Sequence, residues 1–230
     1  MLTLEEFRRD FDGEVRARGI TWEAKGFCGS DGRVYPFGTD TKVLSTVFEA
    51  FSAPLIIEIA KMHDYSVAFS KQTVYPDFTL TPDGKTTQRI AVDIKTTYQE
   101  GSHNQIKFTL GSYTSFLRDG KKNILFPYDQ YCAHWVIGFV YVRRKDVAAK
   151  VYGMQKPEDM LCPYTNVRYF IQEKHRIAGK TPGSGNTTNI GSFPTKDIED
   201  LRAGKGPFSA LGEKAFEEYW RNYKKQPPKL

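Results

Sequence analysis

The sequence predicts a mixed α/β fold of the α+β kind, organised around a mixed sheet. Three observations predict it. Stretches with apolar residues at helical spacing are interspersed with stretches that place them at every second position. The two kinds alternate irregularly around at least four strands, without the strict strand–helix rhythm of an all-parallel sheet. No internal repeat and no long linker divides the 230 residues, so a single domain, 1–230, is expected.

Thr3-Leu-Glu-Glu6 has the form of a capping box, and Leu4, Phe7, Phe11 and Val15 follow at helical spacing. A first helix is predicted to end near Gly19. The turn-rich stretch Phe27 to Phe37 has room for a short strand. Asp40 reads as the N-cap of a second helix, with Val43, Leu44, Val47, Phe48 and Phe51 as its apolar stripe. Ser52-Ala-Pro54 predicts a bend or a restart before that helix resumes to about Met62. A hairpin follows. Tyr75 to Thr81 is its first strand, Pro82-Asp83-Gly84 its turn, and Arg89 to Tyr98 its second strand. Beyond it come a helix around Ser112 to Arg118, a buried strand from Ala133 to Val142 and a short strand from Val167 to Gln172. A polar, glycine-rich interruption from Gly179 to Ser192 precedes a last helix from about Ser209 to Tyr223. The tail from Lys224 to Leu230 carries two prolines and is expected to fray.

Composition narrows the function. Hydrophobic residues at 40% and charged residues at 26% are those of a globular chain with a core to bury. No 18-residue apolar run is present, which predicts no transmembrane helix. The first residues, Met1-Leu-Thr-Leu-Glu-Glu, are acidic where a signal peptide is basic, so a cytoplasmic protein without a membrane partner is expected. The cysteines Cys28, Cys132 and Cys162 and the four histidines are scattered, which argues against a zinc site or a disulfide framework. Any catalytic metal is then expected on carboxylate oxygens, which favour magnesium, calcium or manganese. The net charge of +6 permits phosphate contacts without requiring them. No Gly-x-Ser-x-Gly elbow and no Walker-type loop occurs. His134 reads as a core histidine, and Tyr219-Trp220 as core rather than a stacking platform.

The chemistry is concentrated in Pro76-Asp77 and Asp93-Ile94-Lys95. The hairpin lets the two aspartates converge. Within its second strand Ile90, Val92 and Ile94 point to one face, and Ala91, Asp93 and Lys95 to the other, where a cleft is expected. Converging carboxylates can hold a divalent cation, and a neighbouring lysine can assist an attacking water or stabilise phosphate charge. Asp-x-Lys alone also describes a surface pair of little consequence. Glu49, at the edge of the second helix's stripe, is either a further metal-site carboxylate or a solvated glutamate. The segment Gly183 to Gly191 is either a flexible surface loop or a base-reading one. Asn186 and Asn189 carry the donor–acceptor pair that matches adenine, and threonine methyls match thymine.

These motifs stand in longer blocks. They include Gly38-Thr-Asp-Thr-Lys-Val-Leu-Ser-Thr-Val-Phe-Glu49, Tyr75-Pro-Asp-Phe-Thr-Leu80 and Asp93-Ile-Lys-Thr-Thr-Tyr98. Others are Lys107-Phe-Thr-Leu-Gly-Ser-Tyr-Thr-Ser-Phe116, Asp129-Gln-Tyr-Cys-Ala-His-Trp135, Gly183-Ser-Gly-Asn-Thr-Thr-Asn-Ile-Gly-Ser192 and Tyr219-Trp-Arg-Asn-Tyr223. In these blocks the chain resembles the EcoRV-type type II restriction endonucleases of the PD-(D/E)xK superfamily, over most of its length after about residue 26.

The resemblance implies a restriction-endonuclease-like core with flanking helices and DNA-recognition loops. It implies a dimerisation and catalytic part at about 1–145 and a DNA-recognition part at 146–230. It implies a homodimer on double-stranded DNA that hydrolyses phosphodiesters at a palindrome, GATATC, to blunt ends. Mg2+ would be the cofactor, with Mn2+ a substitute. Asp77, Asp93 and Glu49 would be metal and catalytic residues, and Lys95 the catalytic lysine. Gly183, Ser184, Gly185, Asn186, Thr187, Thr188 and Asn189 would form the major-groove loop, and Lys71, Gln72 and Thr73 the minor-groove loop. Thr41, Lys42, Thr97, Tyr98, Ser115 and Lys122 would lie near the DNA backbone. A companion DNA methyltransferase is expected in the host, but not as a physical partner. Two other readings stay open, a repair or recombination nuclease with the same site type and a non-catalytic DNA-binding relative.

Overall fold

The computed structural model describes residues 1–100, 104–147, 160–183 and 188–224. Helix α1 (Leu4–Ala17) begins at a complete capping box. Thr3 accepts from the Glu6 amide, and Glu6 accepts from the Thr3 amide. The turn-rich stretch after it forms a small hairpin, β1 (Gly26–Cys28) against β2 (Val34–Pro36), where one short strand was expected. Helix α2 (Thr41–Met62) starts at Asp40, which accepts from the amides of Lys42 and Val43.

Pro54 does not interrupt α2. Proline removes one backbone hydrogen bond, but the turns on both sides of Pro54 are held by packing. Phe48, Leu55, Ile56 and Ile59 are wholly buried. By length and composition α2 is apolar enough to cross a membrane. Its apolar residues are instead part of the core under the main sheet.

That sheet has five strands in the order β3-β4-β5-β7-β8. They are β3 (Tyr65–Phe69), β4 (Phe78–Pro82), β5 (Arg89–Tyr98), β7 (Tyr131–Arg143) and β8 (Tyr164–Glu173). Only β5 and β7 run parallel, with Asp93 beside Val136 and Lys95 beside Gly138. The hairpin β4–β5 turns where expected, with Gly84 at φ +73° and the Lys85 amide bonded to Pro82. Its first strand starts at Phe78 rather than Tyr75. The preceding residues leave the ladder, Tyr75 pairing with Ile124 across a cis Tyr75–Pro76 bond. Strand β3 was not anticipated.

A second, three-stranded sheet joins β6 (Thr109–Ser112), β10 (Asn189–Ser192) and β9 (Ala178–Pro182). The glycine-rich stretch is therefore a hairpin rather than an interruption. The helix expected around Ser112 to Arg118 is a wide π-type turn, Tyr113–Leu117, broken at Ser115. Short α3 (Lys174–Ile177) links β8 to β9. Helix α4 (Ile198–Arg202) and α5 (Gly212–Arg221) follow, α5 shorter at both ends than expected. Of the expected frayed tail, only Lys224 is among the described residues.

The two faces of the main sheet bury different cores. Ile90, Val92 and Ile94 of β5 pack with α1 and α2. Ala91, Val136, Val140 and Phe170 pack with Phe108, Ile190, Phe216 and Trp220 on the other side. The alternation read from β5 thus holds, and it puts Asp93 and Lys95 on the second face.

Candidate active site

Asp77 immediately precedes β4, and Asp93 and Lys95 lie on β5, so the antiparallel pairing brings the three together. The backbone amide of Ile94 donates to Asp77 Oδ2 at 2.6 Å, tying the first carboxylate to the second strand. Lys95 Nζ lies 2.9 Å from Asp93 Oδ2 and 3.9 Å from Asp77 Oδ2. The ammonium donates to the Ile94 carbonyl at 3.0 Å. The Lys95–Asp93 approach is a charge pair without hydrogen-bond alignment, and it leaves Asp93 Oδ2 buried without a hydrogen-bond partner.

The two carboxylates differ in surroundings. The Asp93 side chain is 3% exposed and that of Asp77 27% exposed, so Asp77 is the one facing solvent. Burial pushes the Asp77 carboxyl above the usual range, opposed by Lys95 and reinforced by Asp93. Burial acts the same way on Asp93, but Lys95 and Lys174 together hold it below the usual carboxylate range. Against its own burial, Lys95 is held above the ordinary lysine value by Asp93 and Asp77. The site therefore keeps one carboxylate ionised in a dry environment, beside an ammonium and a second, more accessible carboxyl.

An oxygen donor set of two carboxylates suits a hard divalent cation of the magnesium type, which usually takes one or two carboxylates and completes its shell with water and phosphate oxygen. The unbonded, buried Asp93 Oδ2 fits such a role. Glu49 is the third carboxylate expected at the site. It is exposed on α2, and among the described residues no group of three or more His, Cys, Asp or Glu side chains is gathered as a metal site. Glu49 still senses the site: partial burial, with Asp93, raises its carboxyl, and Lys95 opposes this.

Lys174 was not anticipated from the sequence. Its ammonium is buried 3.7 Å from Asp93 Oδ2 and lies over the Tyr75 ring. In Gln172-Glu-Lys-His-Arg176 it reads as part of a solvated charge run, and no local period marks it as buried. His134, by contrast, is the core histidine expected, with its Nδ1 2.8 Å from the Tyr75 hydroxyl.

The expected DNA-contacting residues divide by place. Thr41 and Lys42, at the start of α2, line one open cavity of about 340 Å³ with Thr97 and Tyr98 from the end of β5. Lys107 and Thr109 complete its wall and were not anticipated. They connect it to the β9–β10 hairpin, since Lys107 Nζ donates to the Pro182 carbonyl at 3.2 Å. A Cβ at Gly183 would come within 2.7 Å of Thr109 Oγ1, so the close approach there favours glycine. The loop base is pinned by the Gly183 amide donating to the Asn189 carbonyl at 2.9 Å, and the Thr188 carbonyl accepts from Tyr113. Ser184, Gly185, Asn186 and Thr187 lie outside the described residues.

Lys71, Gln72 and Thr73 are exposed in the β3–β4 connection, close in the chain to Asp77. The Ser70 amide donates to the Asp77 carbonyl, so this loop closes on the site. Lys122 is exposed. Ser115 is 6% exposed inside the π-type turn, and its hydroxyl is not presented to solvent.

The family model for restriction endonuclease EcoRV matches residues 18–229. The chain is 47% identical over 221 residues to the type II restriction enzyme EcoRV of Escherichia coli, covering 95% of this chain and 89% of that protein.

Proposed function

Because the chain belongs to the EcoRV family of type II restriction endonucleases, we propose that it hydrolyses double-stranded DNA at the palindrome GATATC, leaving blunt ends, with Mg2+ as cofactor and Mn2+ as a substitute. The observation that carries this reading is the Asp77–Asp93–Lys95 cluster, on a strand whose next residues, Thr96 to Tyr98, line a polar cavity tied to the β9–β10 hairpin through Lys107.

Asp77 and Asp93 hold the divalent ion, with Glu49 an auxiliary carboxylate beside them. When bound, the ion supplies Lewis-acid stabilisation of the phosphoryl oxygen and a more acidic water. The residues of the chain do the remainder. Asp93, ionised and nearly dry, fixes negative charge at the inner wall. Lys95 presents its ammonium to the phosphate side of the site, where it orients water or balances developing charge. Thr41, Lys42, Thr97, Tyr98 and Lys122 hold the DNA backbone, joined by Ser115 if its turn opens. Gly183 to Asn189 read the major groove, and Lys71 to Thr73 the minor groove.

In this reading the chain is one unit, with 1–145 forming the catalytic and dimerisation part and 146–230 the recognition part. It works in the cytoplasm as a homodimer, and a host methyltransferase protects the same sites without binding it.

The test is substitution of the inner carboxylate. Asp93→Asn is expected to lose cleavage by about a hundred- to a thousandfold, a loss typical of removing a principal electrostatic group. It is expected to keep metal-independent DNA binding in a gel-shift assay. Wild-type cleavage rates in that variant would refute the assignment.

A further inference from the structure

Lys174 approaches the catalytic cluster from outside the hairpin that carries the rest of it. It opens α3, the four-residue turn that leads directly into β9 and so into the recognition hairpin. Its side chain is 3% exposed, and its Nζ has no hydrogen-bond partner. What surrounds the ammonium is Asp93 Oδ2 at 3.7 Å, the face of Tyr75 at 3.7 Å and the face of Phe116 at 5.1 Å. A buried, unbonded ammonium is costly unless opposite charge compensates it. Aromatic faces offset part of that cost, and Asp93 is the carboxylate in contact. Asp93 Oδ2 is equally unbonded and has two ammonium groups near it, Lys95 at 2.9 Å and Lys174 at 3.7 Å.

We propose that Lys174 is a positioning residue, the resident counter-cation of Asp93, which holds that carboxylate from the recognition-hairpin side and lowers the affinity of the site for a divalent ion. The inference rests on the reading of Asp93 as a metal ligand. Its sign is set by charge alone. An incoming dication at Asp93 meets the positive charge of a side chain that is only 3% exposed, so removing that charge tightens metal binding. Loss of a merely structural lysine would loosen the site and leave metal affinity unchanged or weaker.

The experiment is calorimetric titration of the DNA-free protein with Mn2+, for wild type, Asp93→Asn and Lys174→Met. Asp93→Asn is expected to lose the binding, and Lys174→Met to bind at least about threefold more tightly than wild type. If Asp93→Asn abolishes binding while Lys174→Met is unchanged or weaker, the role of Lys174 is overturned and the metal reading stands. If wild type and Asp93→Asn titrate alike, the metal reading falls and this inference falls with it. Should Lys174→Met not fold, the double variant Asp93→Asn/Lys174→Met decides. It is expected to fold because Lys174 and its partner charge are both gone while Lys95 keeps Asp77 at 3.9 Å, and its failure to fold would overturn the counter-cation role.

Discussion

At the scale of single residues, the inner carboxylate is held between two ammonium groups, Lys95 at 2.9 Å and Lys174 at 3.7 Å. Asp93 is enclosed by Lys95 and Lys174, and each of the three is costly to bury without the others. Removing its charge leaves Lys174 without its ion-pair partner and Lys95 with Asp77 alone, at 3.9 Å. Asp93→Asn is therefore expected to lower the stability of the metal-free protein by about 3–5 kcal/mol, as for breaking a buried pair, measured by urea denaturation. A second residue, whose carboxyl also feels the Lys174 ammonium, gives a pH signature of its own. Burial, with Glu217 and Glu173 nearby, pushes the Glu213 carboxyl from 4.5 up to about 7. Between those values the folded protein holds a proton that the unfolded chain has shed, so this group makes stability fall as pH rises. The penalty is absent below about 4.5 and complete above about 7. Glu213→Gln is expected to match the parent in acid and to exceed it at pH 8 by on the order of 1–2 kcal/mol. Equal stability at pH 8 would count against it. Asp93 and Lys95 were legible in the sequence because a period of two fixes which strand residues share a face, and Asp77 because the hairpin turn returns the chain beside them. Lys174 was not, because its burial depends on Asp93, Tyr75 and Phe116, which are distant in the chain.

At the scale of elements, β5 was legible from its alternation of apolar and polar faces, and β7 because it runs apolar enough to be buried on two faces. The strands that escaped notice are short or rich in small and polar residues. β9 reads Ala-Gly-Lys-Thr-Pro and β10 reads Asn-Ile-Gly-Ser, and it is the pairing of β10 with β6 on one side and β9 on the other that makes them strands. The edge of the main sheet is protected by side chains rather than by another strand. On β8, Arg8 donates to the Ile171 carbonyl and Arg202 to the Tyr169 carbonyl, covering alternate acceptors along the outer edge. The centre is held by packing. Gly138 of β7 lies opposite Phe170 of β8 and beside Lys95 of β5. The Phe170 ring occupies the space a Cβ at 138 would need. Gly138→Ala is expected to cost roughly 1–3 kcal/mol through overpacking, seen as a lower urea midpoint. An unchanged midpoint would mean that the ring can move aside.

At the scale of the whole molecule, the fold class was readable because amphipathic helices and alternating strands each declare themselves locally. The second sheet and the polar cavity between α2, β5 and β6 were not, since they arise from how distant segments meet. That cavity places Lys42 and Lys107 together on a chain whose net charge is +6. Affinity for DNA is accordingly expected to fall steeply with salt, by on the order of a thousandfold between 50 and 200 mM if about six phosphates are contacted. A gel-shift series over that range measures it, and salt-independent binding would be inconsistent with backbone contacts in the cavity. The central claim is a divalent-metal nuclease with fixed sequence specificity. It is tested most directly by incubating the purified protein with a plasmid of known sequence in Mg2+, with an EDTA control, and sequencing every end produced. The account predicts blunt ends at the centre of GATATC and intact plasmid in EDTA. Scattered ends, a different fixed site or cleavage that persists in EDTA would contradict it.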